Sequence, residues 1–153
     1  MKRITLIGVA ILILMVIIGL VTAMNLGEKS PIYVSGKVVI PEKLMDRAER
    51  IENLFVIIYD LDSPMPMPYG AMRQRLGPII ANGQNEIDFF VTVEKLQVMH
   101  EMAPKPRRMR VKVRLDLDGM GGRDEPGDIT GELEEVNFGT SGVTITADQY
   151  IQD

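Results

Sequence analysis

Hydrophobic and polar residues follow two different rules along this chain. From Ile4 to Met24 (ITLIGVAILILMVIIGLVTAM) no charged residue interrupts the apolar run, and Lys2 and Arg3 stand directly before it. At about 1.5 Å of helical rise per residue the stretch spans roughly 31 Å, the thickness of a bilayer's hydrocarbon core. A helix apolar on every face has no place inside so small a domain, so the pattern predicts a membrane segment. Two forms of it fit. An uncleaved anchor accounts for the length of the run. A cleaved signal peptide, with Val21-Thr22-Ala23 as its small-residue site, needs an apolar region of only about 7–15 residues. Under either form Lys2 and Arg3 hold the N-terminus in the cytoplasm. Residues 1–3 read as a cytoplasmic start, 4–24 as a transmembrane anchor, 25–31 as a linker and 32–153 as an exported domain. The expectation is a single-pass protein of the inner membrane with its C-terminal domain in the periplasm.

Beyond residue 31, alternation with a period of two dominates. Residues 32–40 (IYVSGKVVI) read as a first strand between Pro31 and Pro41, and 41–51 (PEKLMDRAERI) as a helix with Pro at its start. Residues 53–61 carry the run LFVIIY and predict a strand buried on both faces. The stretch 63–68 (SPMPMP) has three prolines and cannot donate a ladder of hydrogen bonds, so it reads as an extended connector. Further strands are expected over 69–76, 86–93, 108–117, 128–136 and 142–147. Gly77-Pro78, Asn82-Gly83 and the glycine-rich 118–127 supply turns, and 94–107, with Pro104 and Pro106, is a loop. Seven short strands over about 120 residues predict an all-β, Ig-like antiparallel β-sandwich, with a barrel as the alternative.

Composition narrows the chemistry by exclusion. The chain has no Cys and one His, which removes disulfides, thiolate catalysis, zinc-thiolate sites and any two-His metal site. The formal charge is −4, and beyond Lys2 and Arg3 the remainder sets 15 of the 17 basic residues against all 21 acidic ones, a net of −6. That sign gives no general attraction to nucleic acid or to anionic lipid, so the anchor alone holds the domain at a membrane. No GxSxG turn, phosphate loop or Ser/His/Asp context occurs, and carboxylate pairs such as Asp60/Asp62 or Glu134/Glu135 come with no sign of a cleft between them. No catalytic residue and no cofactor is expected.

Three features remain. Five methionines fall in two clusters, Met65, Met67 and Met72, then Met99 and Met102 around His100. Thioethers with an imidazole suit Cu(I), so Met65, Met67, Met99, His100 and Met102 form a candidate copper set; equally, flexible Met side chains fill a core poor in aromatics. Asp116, Asp118, Gly121 and Asp124 fall at calcium-loop positions one, three, six and nine, but Met120 and Gly127 stand where further oxygen ligands are required. Arg107, Arg108, Arg110, Lys112 and Arg114 make a basic strand. It reads either as a solvated face paired with acidic neighbours or as a docking stripe for an acidic partner.

Four stretches from about residue 34 to 151 resemble the C-terminal Ig-like domain of the cytochrome c-type biogenesis protein H family. They are Val34-Ser35-Gly36-Lys37-Val38 with Pro41-Glu42-Lys43-Leu44; Pro64-Met65-Pro66-Met67-Pro68 leading to Ala71, Arg73 and Leu76; Phe89/Phe90 to Glu94 with Met99 and Met102; and Pro126-Gly127-Asp128-Ile129-Thr130-Gly131. The family's members carry tetratricopeptide repeats between membrane segments and this domain, whereas here the apolar segment leads directly into the strand pattern. The resemblance therefore implies location and role: a tethered interaction domain near heme attachment in the periplasm, with cytochrome c maturation components among its partners. Irregular, apolar segments offer the contacts, so Pro64, Met65, Pro66, Met67, Pro68 and Tyr69, and the loop from Met99 through His100 and Met102 to Pro106, are the expected partner-binding residues. A copper-binding module and an envelope structural protein are the alternatives.

Overall fold

A computed structural model describes residues 30–65, 67–77, 84–100 and 102–152. The predicted membrane segment, most of the linker, Pro66, the Asn82-Gly83 turn and Glu101 lie outside the described residues. Among the described residues no helix is long and apolar enough to cross a membrane.

The architecture is all-β, two sheets packed on one core. Among the described residues nine strands follow one another: β1 Ile32–Val39, β2 Asn53–Asp60, β3 Pro68–Arg75, β4 Glu86–Thr92, β5 Gln97–Val98, β6 Arg108–Asp116, β7 Ile129–Asn137, β8 Thr140–Thr146 and β9 Gln149–Tyr150. The small sheet has the order β4-β1-β8 and the large one β5-β3-β2-β6-β7-β9. Alternation assigns the faces: Val34 and Val38 of β1 and Ile87, Phe89 and Val91 of β4 meet Leu54, Val56 and Ile58 of β2 and Met109, Val111, Val113 and Leu115 of β6. Such burial of apolar side chains, at about 25 cal/mol per Å2, is the main stabilising term of the fold. β2 is buried on its outer face as well, through Asn53, Phe55 and Ile57, as its unbroken apolar run predicts.

Three details depart from the sequence reading. The helix expected over 41–51 contracts to a 3-10 turn, Glu42–Leu44, and α1, Met45–Ala48. Ala48 and Ile51 must both enter the core, and β2 begins only two residues after Ile51. β5 and β9 are two residues long, too short to show a period. The sandwich is also not wholly antiparallel, because β8 runs parallel to β1. Phe138 and Gly139 carry the chain from β7 on the large sheet to β8 on the small one. Phe138 N–H donates to the Arg107 carbonyl (2.9 Å) and Gly139 N–H to the Tyr33 carbonyl (2.8 Å). The crossing is close: a Cβ at Gly131 of β7 would lie 2.1 Å from the Thr146 carbonyl oxygen of β8, so only glycine fits there.

Candidate functional site

The two segments singled out for their proline and methionine content face each other at one end of the large sheet. After β2 the chain turns at Leu61, whose N–H donates to the Arg108 carbonyl (3.1 Å), while Asp62 N–H donates to the Asp60 carboxylate (3.0 Å). It then runs through 63–67 into β3. Beyond β3 lies only the short β5, paired at Gly70 and Ala71, and Met99 N–H prolongs that edge by donating to the Tyr69 carbonyl (2.9 Å). The chain turns again where Ala103 N–H meets the His100 carbonyl (2.9 Å), and Pro104 and Pro106 keep it extended until β6. Between these loops opens a cleft of about 780 Å3.

Pro64, Met65, Met67, Pro68, Tyr69 and His100 of the expected set line this cleft. Met99 and Met102 stand on the adjoining loop with exposed side chains and do not line it. The five candidate copper ligands are thus split, with Met65, Met67 and His100 in the cleft and two thioethers outside it. Among the described residues no group of His and carboxylate side chains is disposed to hold a metal ion.

Tyr69 is buried at the cleft wall, and its position is fixed from the interior. Its hydroxyl lies 3.2 Å from that of Tyr33, a core residue packed edge-on against Phe138 at 5.1 Å between ring centres. Burial, with the Tyr69 hydroxyl second, pushes the Tyr33 phenol well above its ordinary value, so the Tyr33 hydroxyl keeps its proton.

The sequence reading missed Asp60, Asp62 and Arg107 on the cleft. They belong to regular strand ends, and only the fold brings those ends beside the proline segments. Asp62 is engaged by Arg108 at 2.6 Å. Lys105 and Arg107 are exposed and make no ion pair among the described residues, so they bring two cations to a cleft that also carries the Asp60 carboxylate.

The remaining basic strand is paired with acidic neighbours. Arg108 pairs with Asp62 and Glu135, Arg110 with Glu132 (3.3 Å) and Lys112 with Asp124, in the pattern of a solvated face with acidic neighbours. Arg110 also lies 4.1 Å over the Tyr59 ring.

Arg114 departs from both readings, because it is 1% exposed. Loop 117–127 folds back over it. Its Nη1 donates to the carbonyls of Gly122 (2.9 Å) and Arg123 (2.9 Å), and its Nη2 to that of Met120 (3.1 Å). Carboxylates of Asp116 (3.1 Å), Asp124 (3.7 Å) and Asp128 (3.7 Å) surround it, and its guanidinium lies 4.9 Å above the Phe55 ring. The oxygen-rich loop that resembles a calcium site therefore encloses a cation supplied by the chain itself. Burial raises the Asp116 carboxyl above its ordinary value, opposed by the Gly119 N–H bond and by Arg114.

Comparison with known proteins gives no match, whether to a family model, to a curated protein or to a solved structure.

Proposed function

We propose that this chain is a membrane-anchored periplasmic interaction module, a non-catalytic Ig-like sandwich held at the bilayer by its N-terminal apolar segment. Its cleft takes an extended segment of another membrane or periplasmic protein. One observation carries the reading: the proline-methionine connector, His100 and residues 103–107 line a single cleft that combines an apolar, adaptable surface with the cations Lys105 and Arg107, which make no ion pair among the described residues. Methionine surfaces repack around varied apolar side chains, and free cations favour a segment that also bears carboxylates. Tethering beside other membrane components raises the effective concentration of such a module without new contacts. The resemblance to the cytochrome c-type biogenesis protein H family directs the reading to cytochrome c maturation, as an accessory factor in assembling the heme-attachment complex.

The test places a photo-crosslinking amino acid at Pro104, on the cleft, and at the exposed Thr144, on the small sheet. The expected outcome is an adduct from position 104 alone, lost in Lys105→Glu/Arg107→Glu, together with reduced holo-cytochrome c in cells lacking the gene. Equal adducts from both positions remove the cleft, and normal holo-cytochrome c removes the maturation role.

A second reading rests on Met65, Met67 and His100 sharing that cleft, since two thioethers and an imidazole suit Cu(I). Titrating Cu(I) against a competing chelator decides it. Binding weaker than micromolar, or binding unchanged by Met65→Leu/Met67→Leu, sinks the copper module.

A further inference from the structure

The described methionines differ in exposure. Met65 (53%), Met67 (52%), Met99 (56%) and Met102 (97%) stand exposed in and beside the cleft, and Met120 (69%) on the far loop; Met45 is half-buried against the core, and Met72 (4%) and Met109 (0%) are inside it. The chain has no cysteine, so thioethers are its only sulfur groups, and among the described residues these five are the exposed ones. Methionine reactivity toward peroxides follows exposure, and the sulfoxide product is polar where the thioether was apolar.

We propose that Met65 and Met67 form an oxidation gate on the docking cleft, an inference that rests on the reading of the cleft as a partner site. A hydroperoxide is the oxidant. The sulfur lone pair attacks one peroxide oxygen, the O–O bond breaks and an S–O bond forms. The departing oxygen takes a proton and leaves as water or an alcohol, so the thioether is oxidised by two electrons and the peroxide reduced by two. Each sulfoxide puts a strong acceptor dipole where the occupant's apolar side chains pack, and seating them then leaves that dipole without its water. The buried Met72 and Met109 stay reduced, so the sandwich persists while the cleft closes to its partner. Reduction of the sulfoxides restores it.

The experiment uses the full chain in isolated membranes with the crosslinker at Pro104. Membranes are treated with graded hydrogen peroxide, irradiated, and the chain is mapped by peptide mass spectrometry. The expected result is one added oxygen on Met65 and Met67 but none on Met72 or Met109, with loss of the adduct in step with oxidation of the cleft pair. In Met65→Leu/Met67→Leu, which keeps an apolar wall of similar volume, the adduct is compared with that of the same variant before treatment, and the same peroxide dose should not lower it. That variant separates damage to the cleft from damage to the partner, which meets the same oxidant. Loss of the adduct in the leucine variant as in the wild type overturns the gate, as does an adduct that survives sulfoxide formation at Met65 and Met67. Absence of any adduct before treatment overturns the docking reading and the gate with it.

Discussion

Strand β6 enters from one loop and leaves into another, and the two loops use similar polar material to opposite ends. At its C-terminal end, loop 117–127 gives the buried Arg114 guanidinium three carbonyl acceptors while its Nε makes no hydrogen bond, and the carboxylates of Asp116, Asp124 and Asp128 stand around it. At its N-terminal end, Lys105 and Arg107 make no ion pair among the described residues and lie beside thioethers that remain half exposed. A region whose buried charges are consumed internally has fewer free polar groups for a partner, although Leu117, Met120 and Arg123 of this loop stand exposed. A region that leaves apolar surface and charge uncompensated is stable only because the rest of the sandwich holds it, and it is where binding energy remains available. The contrast teaches that charge density in the sequence is a poor guide to a docking surface; what matters is whether the charge is already spent.

The sharpest way to break the comparison is to remove the internal cation. Arg114→Ala leaves Asp116 and Asp128 buried without their partner, and stability should fall by about 3–5 kcal/mol. Chemical denaturation measures this, and millimolar guanidinium ion, refilling the emptied space, should raise the variant's Tm without changing that of the wild type. Crosslinking at Pro104 should persist in whatever fraction stays folded. A loss below about 1 kcal/mol would mean that the loop, not the guanidinium, holds this end together.

A smaller effect, read in its pH dependence, comes from Asp116. Burial raises its carboxyl, so over the acidic range the folded chain binds a proton that the unfolded chain has already released. With fewer protons on the unfolded state, stability contributed by this group is largest below the ordinary carboxylate value and falls as pH rises through the folded one. Asp116→Asn abolishes that titration. The stability of the wild type relative to the variant should therefore decline from about pH 4 upward. A difference that grows with pH would show that pairing with Arg114 outweighs burial.

The two ends also differ in how far they were legible beforehand. Period-two alternation along β6 places Met109, Val111, Val113 and Leu115 on one face, and all four are in the core, because it depends only on neighbours along one strand; it fails just past the strand's end, where Leu117 is exposed while Asp116 is buried. Arg114 does project from the outer face, as alternation requires, but its burial depends on a loop that closes over that face, and no local pattern records such a return. The parallel pairing of β8 with β1 escaped for the same reason: it follows from a two-residue sheet crossing at Phe138-Gly139. The cleft was half legible. Prolines and methionines mark segments that cannot join a ladder, but Asp60 and Arg107 lie at strand ends and reach the cleft only through the fold.

Tyr33→Phe sharpens the comparison from the cleft side. It removes the hydroxyl that positions Tyr69 while keeping the ring packed against Phe138, so the expected cost is about 0.5–1.5 kcal/mol. The crosslink from Pro104 should weaken more than that stability loss alone accounts for, because Tyr69 loses its anchor. Tyr69→Phe removes the same hydrogen bond from the other side. Equal crosslinking by both variants and the wild type would show that the tyrosine pair serves the core alone.

The smallest effect on stability is the most informative. Lys105→Glu/Arg107→Glu changes two exposed side chains that make no ion pair among the described residues, so the folded state loses no specific contact. Stability should stay within about 0.5 kcal/mol of the wild type, the ordinary range for surface changes. The Pro104 adduct should nevertheless disappear, because reversed charge at the cleft repels a carboxylate-bearing segment and like charges across an interface cost several kcal/mol. Reversal at the spent end, Lys112→Glu, removes the ion pairs to Asp124 and Glu132 and sets carboxylates together, so it should lower stability while leaving the adduct intact. If instead Lys112→Glu abolished docking and the cleft reversal did not, the roles of the two regions would have to be exchanged.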